Sequence, residues 1–380
     1  MRQALLIASA IEAFFLLVLL GYGPLYLRVS FHATDVVASL AAAAPALATF
    51  IGSTTWGHQV WRAGIRRMAL VGLAGYVGMG LVIFSASGAV MYIAGVMLFT
   101  LLSSALAPVT LTLLTHEGGD MGRRLAMRLQ WQSSGWMVGG LLGGYVDSLG
   151  PRAFPDMMLV LGLLMVAAAL VVARAPHMRV TIARDAEHEP TSPLGLTVLL
   201  VIPFFLAYAG NEGFFTNFSL YLHALHITAA WVGWSAAIST GLGWLMASSI
   251  GRWTDRIGGK KLLIRVLMVY AAMYLVMSLA SSEVVVIVAF SLPLYPLLNI
   301  GIQRAVAESL PGHLHGGATG IINGASGLAT FGGSVIMGTV NSVWGPHIMP
   351  WSAVAFVSTG LVAAVLIYRR PRPFLTAPSP

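Results

Sequence analysis

Apolar stretches of about 20 residues recur along the whole chain, and each is long enough to cross a hydrocarbon core of roughly 30 Å as an α-helix. They predict spans near residues 4–27, 35–56, 67–87, 89–114, 125–146, 156–174, 195–222, 229–250, 261–281, 283–307, 316–342 and 349–368. Hydrophobic residues make up 57% of the 380 residues and charged residues only 9%, far from the balance of a soluble domain. The stretches do not alternate in polarity as the strands of a membrane β-barrel do. The sequence therefore predicts an all-α integral membrane fold with twelve transmembrane helices.

The distribution of basic residues indicates how these helices are oriented. If both termini are cytoplasmic, every Lys and Arg except Arg28 and Arg152 falls on the cytoplasmic side, as the positive-inside rule requires. We therefore expect a multi-pass protein of the cell (inner) membrane, surrounded by the lipid bilayer, with both termini in the cytoplasm. The net charge of +8 follows from this topology and is spread over short loops, so nucleic acid is not expected as a partner. No cysteine is present, and no motif points to a cofactor or a metal.

The chain consists of two similar halves. A set of loop residues recurs 194 positions later: Gly57, Arg62 and Gly64 return as Gly251, Arg256 and Gly258. Matches at such a constant spacing indicate an internal duplication. A polar segment at 179–193 with both charge signs separates the halves. We expect an N-terminal six-helix bundle at 1–174, a cytoplasmic linker at 175–194, and a C-terminal six-helix bundle with a short cytoplasmic tail at 195–380.

The second of the repeated loops carries a recognisable motif. Residues 251–261 read GRWTDRIGGKK and fit the form G-x-x-x-D-R-x-G-x-[RK]-[RK], whereas the loop at 57–67 has Trp61 in place of the acid. Together with the helix count, the duplication and the central linker, this motif makes the chain similar to the transporters of the major facilitator superfamily. The resemblance covers the whole chain. It implies two bundles that rock around a central site, and a monomer that moves a small molecule.

The resemblance also assigns a gating role to residues at the cytoplasmic helix ends. In the family's mechanism an Asp at a helix end pairs with a neighbouring Arg, or with the positive N-terminus of a facing helix, and holds the cytoplasmic ends together. Asp255 can form this contact and Trp61 cannot, so we expect an asymmetric gate. The candidate gating residues are Gly57, Arg62, Gly64, Arg66, Arg67, Glu117, Gly251, Asp255, Arg256, Gly258, Lys260, Arg304 and Glu308.

Two acidic residues fall well inside predicted spans, Glu12 in the first and Glu212 in the seventh. An ionised carboxylate at the centre of a membrane helix costs roughly 2.5–3.5 kcal/mol on insertion scales, so acids in this position indicate function. Burial disfavours the charged form, and either acid can therefore carry a proton. Proton-coupled exporters of the family place an acid in the first span, as here. Because Gly210 and Gly213 flank Glu212, we expect the seventh span to unwind locally.

Arg128 lies a turn or more into the fifth span, where the topology does not require a charge. It can orient an anionic or hydroxyl-rich substrate or act as the counter-charge to Glu12. Snorkelling to the cytoplasmic interface is the alternative. Amides and aromatic rings on neighbouring spans suit sugars, nucleosides or amphipathic aromatic solutes. The candidate substrate-binding residues are Arg128, Gln130, Trp131, Gln132, Tyr208, Asn211, Phe215, Asn299, Gln303 and Asn323.

Two transport functions fit these residues. The leading hypothesis is a secondary active transporter that exports a small organic solute or drug in exchange for protons carried by Glu12 or Glu212. The alternative is a proton symporter that imports an organic acid, sugar or nucleoside bound by Arg128. The segment GWMVGGLLGG resembles the antiporter signature G-x-x-x-G-P-x-x-G-G, but Gly140 replaces its Pro, which favours symport. The motifs GxxxxGK[ST], HExxH and GxSxG are absent, so we do not expect an enzyme.

The asymmetric gate can be tested on the two repeated loops. We expect Asp255→Asn to slow transport more than Trp61→Ala, because only Asp255 can form a charged contact that closes the gate. Solute transport rates in reconstituted vesicles measure the difference. Equal effects, or a larger effect of Trp61→Ala, would contradict the asymmetry.

Overall fold

A computed structural model of the chain describes residues 1–116, 121–147, 149–175, 194–228, 230–280, 282–310 and 315–368. These residues form helices and short connections, with no strand among them. The helices in chain order are α1 (Arg2–Phe31), α2 (Asp35–Ala63), α3 (Ile65–Ser85), α4 (Ala89–Ser103), α5 (Leu106–His116), α6 (Met121–Asp147), α7 (Ala153–Arg174), α8 (Leu194–Ala224), α9 (Ala230–Ile257), α10 (Gly259–Leu279), α11 (Glu283–Phe290), α12 (Leu294–Ala307), α13 (His315–Trp344) and α14 (Ile348–Tyr368).

The helices confirm the predicted all-α membrane fold. Within the described residues, ten helical stretches are long and apolar enough to cross a membrane. Two of these stretches combine consecutive helices, α4 with α5 and α11 with α12. α6 and α9 are less apolar, but α6 packs between α1 and α9 and both helices complete the twelve spans. Most of the predicted linker, residues 176–193, lies outside the described residues.

The fourth and tenth spans are each divided into two helices, which the sequence analysis did not predict. α4 ends at Ser103 and α5 begins at Leu106, while α11 ends at Phe290 and α12 begins at Leu294. Proline lies at both positions; it has no N–H to donate and favours the first turn of a helix, although α1, α2 and α8 each also contain one in their interior. Pro108 lies in the first turn of α5, and Pro293 immediately precedes α12.

The backbone repeats the duplication that the sequence indicates. Among the described residues, those with a positive φ angle fall into pairs at corresponding places in the two halves. The pairs are His32 and His226, Gly64 and Gly258, and Gly150 and Gly345. Gly64 and Gly258 precede α3 and α10 with nearly equal dihedral angles, φ 84° and 81°. A residue with a Cβ rarely adopts such angles, so glycine is needed at this turn in each half. The two halves therefore share their bends as well as their helix order.

The two halves meet along α2 with α13 and along α6 with α9. On α6, Gly140 lies directly on the backbone of Gly233 at the start of α9. On α13, Gly338 lies against Ser39 near the start of α2. Small residues allow two membrane helices to approach at backbone distance. Both of these contacts lie at the end of the bundles away from the chain termini.

The seventh span does not unwind at Glu212, so that expectation was wrong. α8 is a continuous helix from Leu194 to Ala224. Its glycines serve close packing instead: a Cβ on Gly213 would meet the backbone of Gly333 in α13 at 2.5 Å, and one on Gly210 would meet Phe356 in α14 at 2.7 Å. The absence of side chains at these positions lets α13 and α14 approach α8, and it keeps Glu212 on a regular helix.

Two adjacent glycines of α13 provide a matched test of this packing. Gly333 lies directly on the backbone of Ala209, whereas nothing lies within 4 Å of a Cβ placed on Gly332. We expect Gly333→Ala to lower the free energy of unfolding by about 1–3 kcal/mol, because a backbone neighbour cannot move aside. Gly332→Ala should leave it unchanged or raise it by about 1 kcal/mol, since alanine is the better helix former. Thermal unfolding of the purified protein in detergent measures both, and an equal loss in the two variants would contradict the packing argument.

Candidate functional site

Glu12 is buried between the helices of the N-terminal half. It lies in the first half of α1 and is 7% exposed. The hydroxyl group of Tyr76 in α3 donates a hydrogen bond of 3.0 Å to Oε1 of Glu12. The Tyr76 ring is held in turn by an edge contact with Phe15, with ring centroids 5.4 Å apart. The acid is thus fixed between two helices and has one donor in place.

Arg128 in α6 is the basic residue nearest in effect to Glu12. Its positive charge acts on the carboxylate. Nε of Arg128 and Oε2 of Glu12 are both buried, and within the described part of the chain neither atom has a hydrogen-bond partner. An acceptor at Nε and a donor at Oε2, such as hydroxyl groups or water molecules, would satisfy the two atoms. The N-terminal half therefore holds a carboxylate and a guanidinium group whose charges offset each other.

Glu212 in α8 is the corresponding acid of the C-terminal half, and it is 9% exposed. The amide group of Asn211 donates a hydrogen bond of 3.3 Å to its Oε1. Tyr274 of α10 donates in turn to Oδ1 of Asn211 at 3.0 Å. This short chain of hydrogen bonds connects the acid on α8 to the ninth span, as Tyr76 connects Glu12 to the third.

Tyrosines, and not basic residues, surround Glu212. Tyr208, Tyr270, Tyr274 and Tyr295 all lie close enough for the charge of Glu212 to act on their hydroxyl groups. Among the described residues, no Lys, Arg or His side chain acts on Glu212. The two acids therefore differ in their electrostatic environment, because Glu12 has a basic counterpart and Glu212 has none.

Predicted substrate-binding residues on α8, Tyr208, Asn211 and Phe215, lie within about one turn of Glu212, and others follow Tyr295 on α12. Tyr208 shares a hydrogen bond of 3.4 Å with the hydroxyl group of Tyr295, and Asn299 donates to the backbone oxygen of Tyr295 at 3.5 Å. On α12, Tyr295, Asn299 and Gln303 follow each other at steps of four residues and lie on one helix face. Phe215 is buried against Phe290, with centroids 6.3 Å apart.

Other predicted substrate-binding residues are not brought to either acid by the contacts of the described residues. Gln130 and Trp131 on α6 and Asn323 on α13 are exposed, and Gln132 is partly exposed. Sequence reasoning missed Tyr76, although one signal could have found it. Tyr76 and Tyr270 are 194 residues apart and occupy the same place in the two halves.

The structure describes only part of the predicted gate. Glu117 lies outside the described residues, and the structure describes no side chain at positions 57, 61, 62, 251 and 255. Arg67 and Arg256 are exposed. The predictions for Asp255 and its partners therefore stay predictions.

Three gate residues make contacts within their own half: Glu308, Arg304 and Arg66. Oε1 of Glu308 accepts a hydrogen bond of 2.9 Å from the backbone N–H of Gly259, the first residue of α10. The same atom lies 3.3 Å from Nε of Arg304. An acid at a helix N-terminus is favourable because it faces the positive end of the helix dipole. In the N-terminal half, Arg66 donates to the backbone oxygen of Ala173.

A family model described as Major Facilitator Superfamily matches residues 5–292 and 200–380 of the chain. A search of curated proteins finds no match.

Solved structures of transporters share this fold. A mutant form of the nucleoside transporter NupG has a TM-score of 0.80 and 11% identity, over 97% of this chain and 100% of that chain. A D-xylose-proton symporter has a TM-score of 0.74 and 13% identity, over 97% and 96%. A bacterial homolog of the human lysosomal transporter Spinster, in an inward-facing and occupied conformation, has a TM-score of 0.73 and 13% identity, over 98% of each chain. At these identities the likeness shows the fold alone.

Proposed function

The chain belongs to the major facilitator superfamily, and we propose that this transporter couples the movement of protons to the export of a small organic solute by alternating access. Membership of the family makes it a membrane transporter of the secondary kind and not an enzyme. The identity of the coupling ion, the direction of transport and the class of the solute are proposals. We further propose that it acts as a monomer in the inner membrane with both termini in the cytoplasm.

The observation that carries the proton coupling is the pair of buried carboxyl groups. Glu12 and Glu212 lie on the first helix of each half, and each accepts a hydrogen bond from a buried neighbour. Acids within membrane helices are rare and mark proton or ion pathways. A carboxyl group that is held by fixed donors can gain and lose a proton without rearrangement of its helix.

Alternating access is supported by how the halves meet. The contacts of Gly140 with Gly233 and of Gly338 with Ser39 lie at the end away from the termini. If the termini are cytoplasmic, these contacts close the outer side of the central site. Flat glycine surfaces of this kind separate without the loss of interlocked side chains, and this property suits an interface that must open and close.

The electrostatic environments of the two acids bear on the direction of coupling. Glu212 has no basic counterpart among the described residues, so a proton on Glu212 can be exchanged for a positively charged solute with no change in the charge of the site. This exchange is antiport. Protonation of Glu12 leaves the charge of Arg128 without its counter-charge, and a bound anion would restore the balance. That second arrangement supports symport as the alternative function, with Arg128 as the residue that binds the solute.

Proton flux in reconstituted vesicles tests the proposed function. With an imposed pH gradient, organic cations, anions, sugars and nucleosides are screened for solute-dependent proton movement. We expect movement opposite to the solute, and we expect Glu212→Gln to abolish it, because glutamine keeps the shape of the side chain but cannot release a proton. Abolition by Glu12→Gln alone would make Glu12 the carrier instead.

Glu283→Gln is the matched control, since Glu283 is an exposed acid at the start of α11. The Glu283→Gln variant should show the same solute-dependent proton movement as the wild type. Movement of protons in the same direction as the solute would replace antiport by symport, and solute transport without proton movement would contradict coupling altogether.

A further inference from the structure

Glu212 is a buried acid for which the described structure provides no positive charge. Removing an isolated carboxylate from water is strongly unfavourable unless it is paired or neutralised. In the N-terminal half Arg128 meets this need for Glu12. In the C-terminal half no basic side chain among the described residues does so for Glu212. The charge must therefore come from outside the chain, as a proton or as a bound cation.

The surroundings of Glu212 suit an organic cation. The rings of Tyr208 and Tyr295 lie with their centroids 6.2 Å apart and inclined at 45° to each other. Tyrosine faces attract ammonium groups because of the negative potential above the ring, and quaternary ammonium groups are recognised by several aromatic rings together. The hydrogen bond from Asn211 fixes the carboxyl group, and its charge acts on the hydroxyl groups of Tyr208 and Tyr295.

The site is reachable from one side. Tyr295 is 44% exposed, whereas Tyr208 and Glu212 are buried. Asn299 and Gln303 follow Tyr295 on the same face of α12 and continue the polar surface away from Glu212. A polar stripe on a membrane helix normally faces a water-filled cavity and not lipid. A solute that enters along α12 would therefore meet Tyr295 first and Glu212 behind it.

From this arrangement we propose that the transported solute is an organic cation, with an ammonium group that binds between Glu212 and the rings of Tyr208 and Tyr295. This inference rests on the proposed function and assigns its solute class. It also gives the two acids different tasks, because Glu212 receives the positive charge of the solute while Glu12 remains beside Arg128. A sugar or a nucleoside carries no charge that would neutralise Glu212.

The test compares cations with neutral molecules of the same shape. The probes are benzyltrimethylammonium and choline, each paired with the neutral compound in which carbon replaces the ammonium nitrogen. Binding to the purified full-length protein in lipid nanodiscs is measured by titration calorimetry. We expect at least one cation to bind the wild type at least about tenfold more tightly than its neutral counterpart. Glu212→Gln should remove this preference, and Glu283→Gln should keep it.

Tyr295 provides a second, independent readout. Its exposure makes substitution compatible with folding. Tyr295→Phe should keep most of the affinity because the ring remains, whereas Tyr295→Leu should weaken cation binding about fivefold or more. Equal losses in both variants would contradict a contact between the ammonium group and the ring.

The outcomes separate this inference from the proposed function. Equal binding of each cation and its neutral counterpart, or no binding of either cation, would overturn the cation site. If a neutral or anionic solute drives proton movement in vesicles, the cation site is wrong while proton coupling stands. If a cation binds with the expected dependence on Glu212 but moves no protons, the solute class stands and proton coupling is wrong.

Discussion

A carboxylate that is buried among membrane helices must be neutralised by a basic side chain, a proton or a bound cation. The functional account depends on this constraint, because the chain buries one acid in each half and neutralises them differently. Glu12 lies near Arg128 and accepts from Tyr76. Glu212 lies among tyrosines without a basic neighbour in the described residues. The charge of Glu12 can be balanced by Arg128 within the chain, whereas the charge of Glu212 needs a positive charge from outside the chain.

The two halves share a scaffold, and the chemistry lies in the differences between them. The left-handed turns at Gly64 and Gly258 repeat, and so do Tyr76 and Tyr270. The acids do not repeat, since Leu206 stands 194 residues after Glu12 and Val18 stands 194 residues before Glu212. A duplicated scaffold provides two equivalent bundles that can move against each other. Unequal acids within it can give the two bundles separate tasks.

Much of the fold could be predicted from the sequence, because hydrocarbon thickness sets the length of each apolar span, while the orientation given by the positive-inside rule stays a prediction. The burial of Glu12 and Glu212 followed from the same patterns. The partners of these acids did not, since a contact such as that of Tyr76 with Glu12 depends on how two distant helices are rotated. The glycines around Glu212 were misinterpreted for a related reason. Gly213 allows α13 to approach α8, and a sequence does not distinguish a glycine used for packing from one that ends a helix.

Infrared difference spectroscopy of the purified transporter tests the central claim most directly, because a protonated carboxyl group has a carbonyl band that a carboxylate lacks. Spectra are recorded with and without a bound organic cation for the wild type, Glu12→Gln and Glu212→Gln. The account predicts a buried carboxyl band that disappears when the cation binds, that persists in Glu12→Gln and that is absent from Glu212→Gln. A band that is unaffected by the cation, or one that belongs to Glu12 instead, would contradict the assignment of Glu212 as the acid that exchanges its proton for the solute.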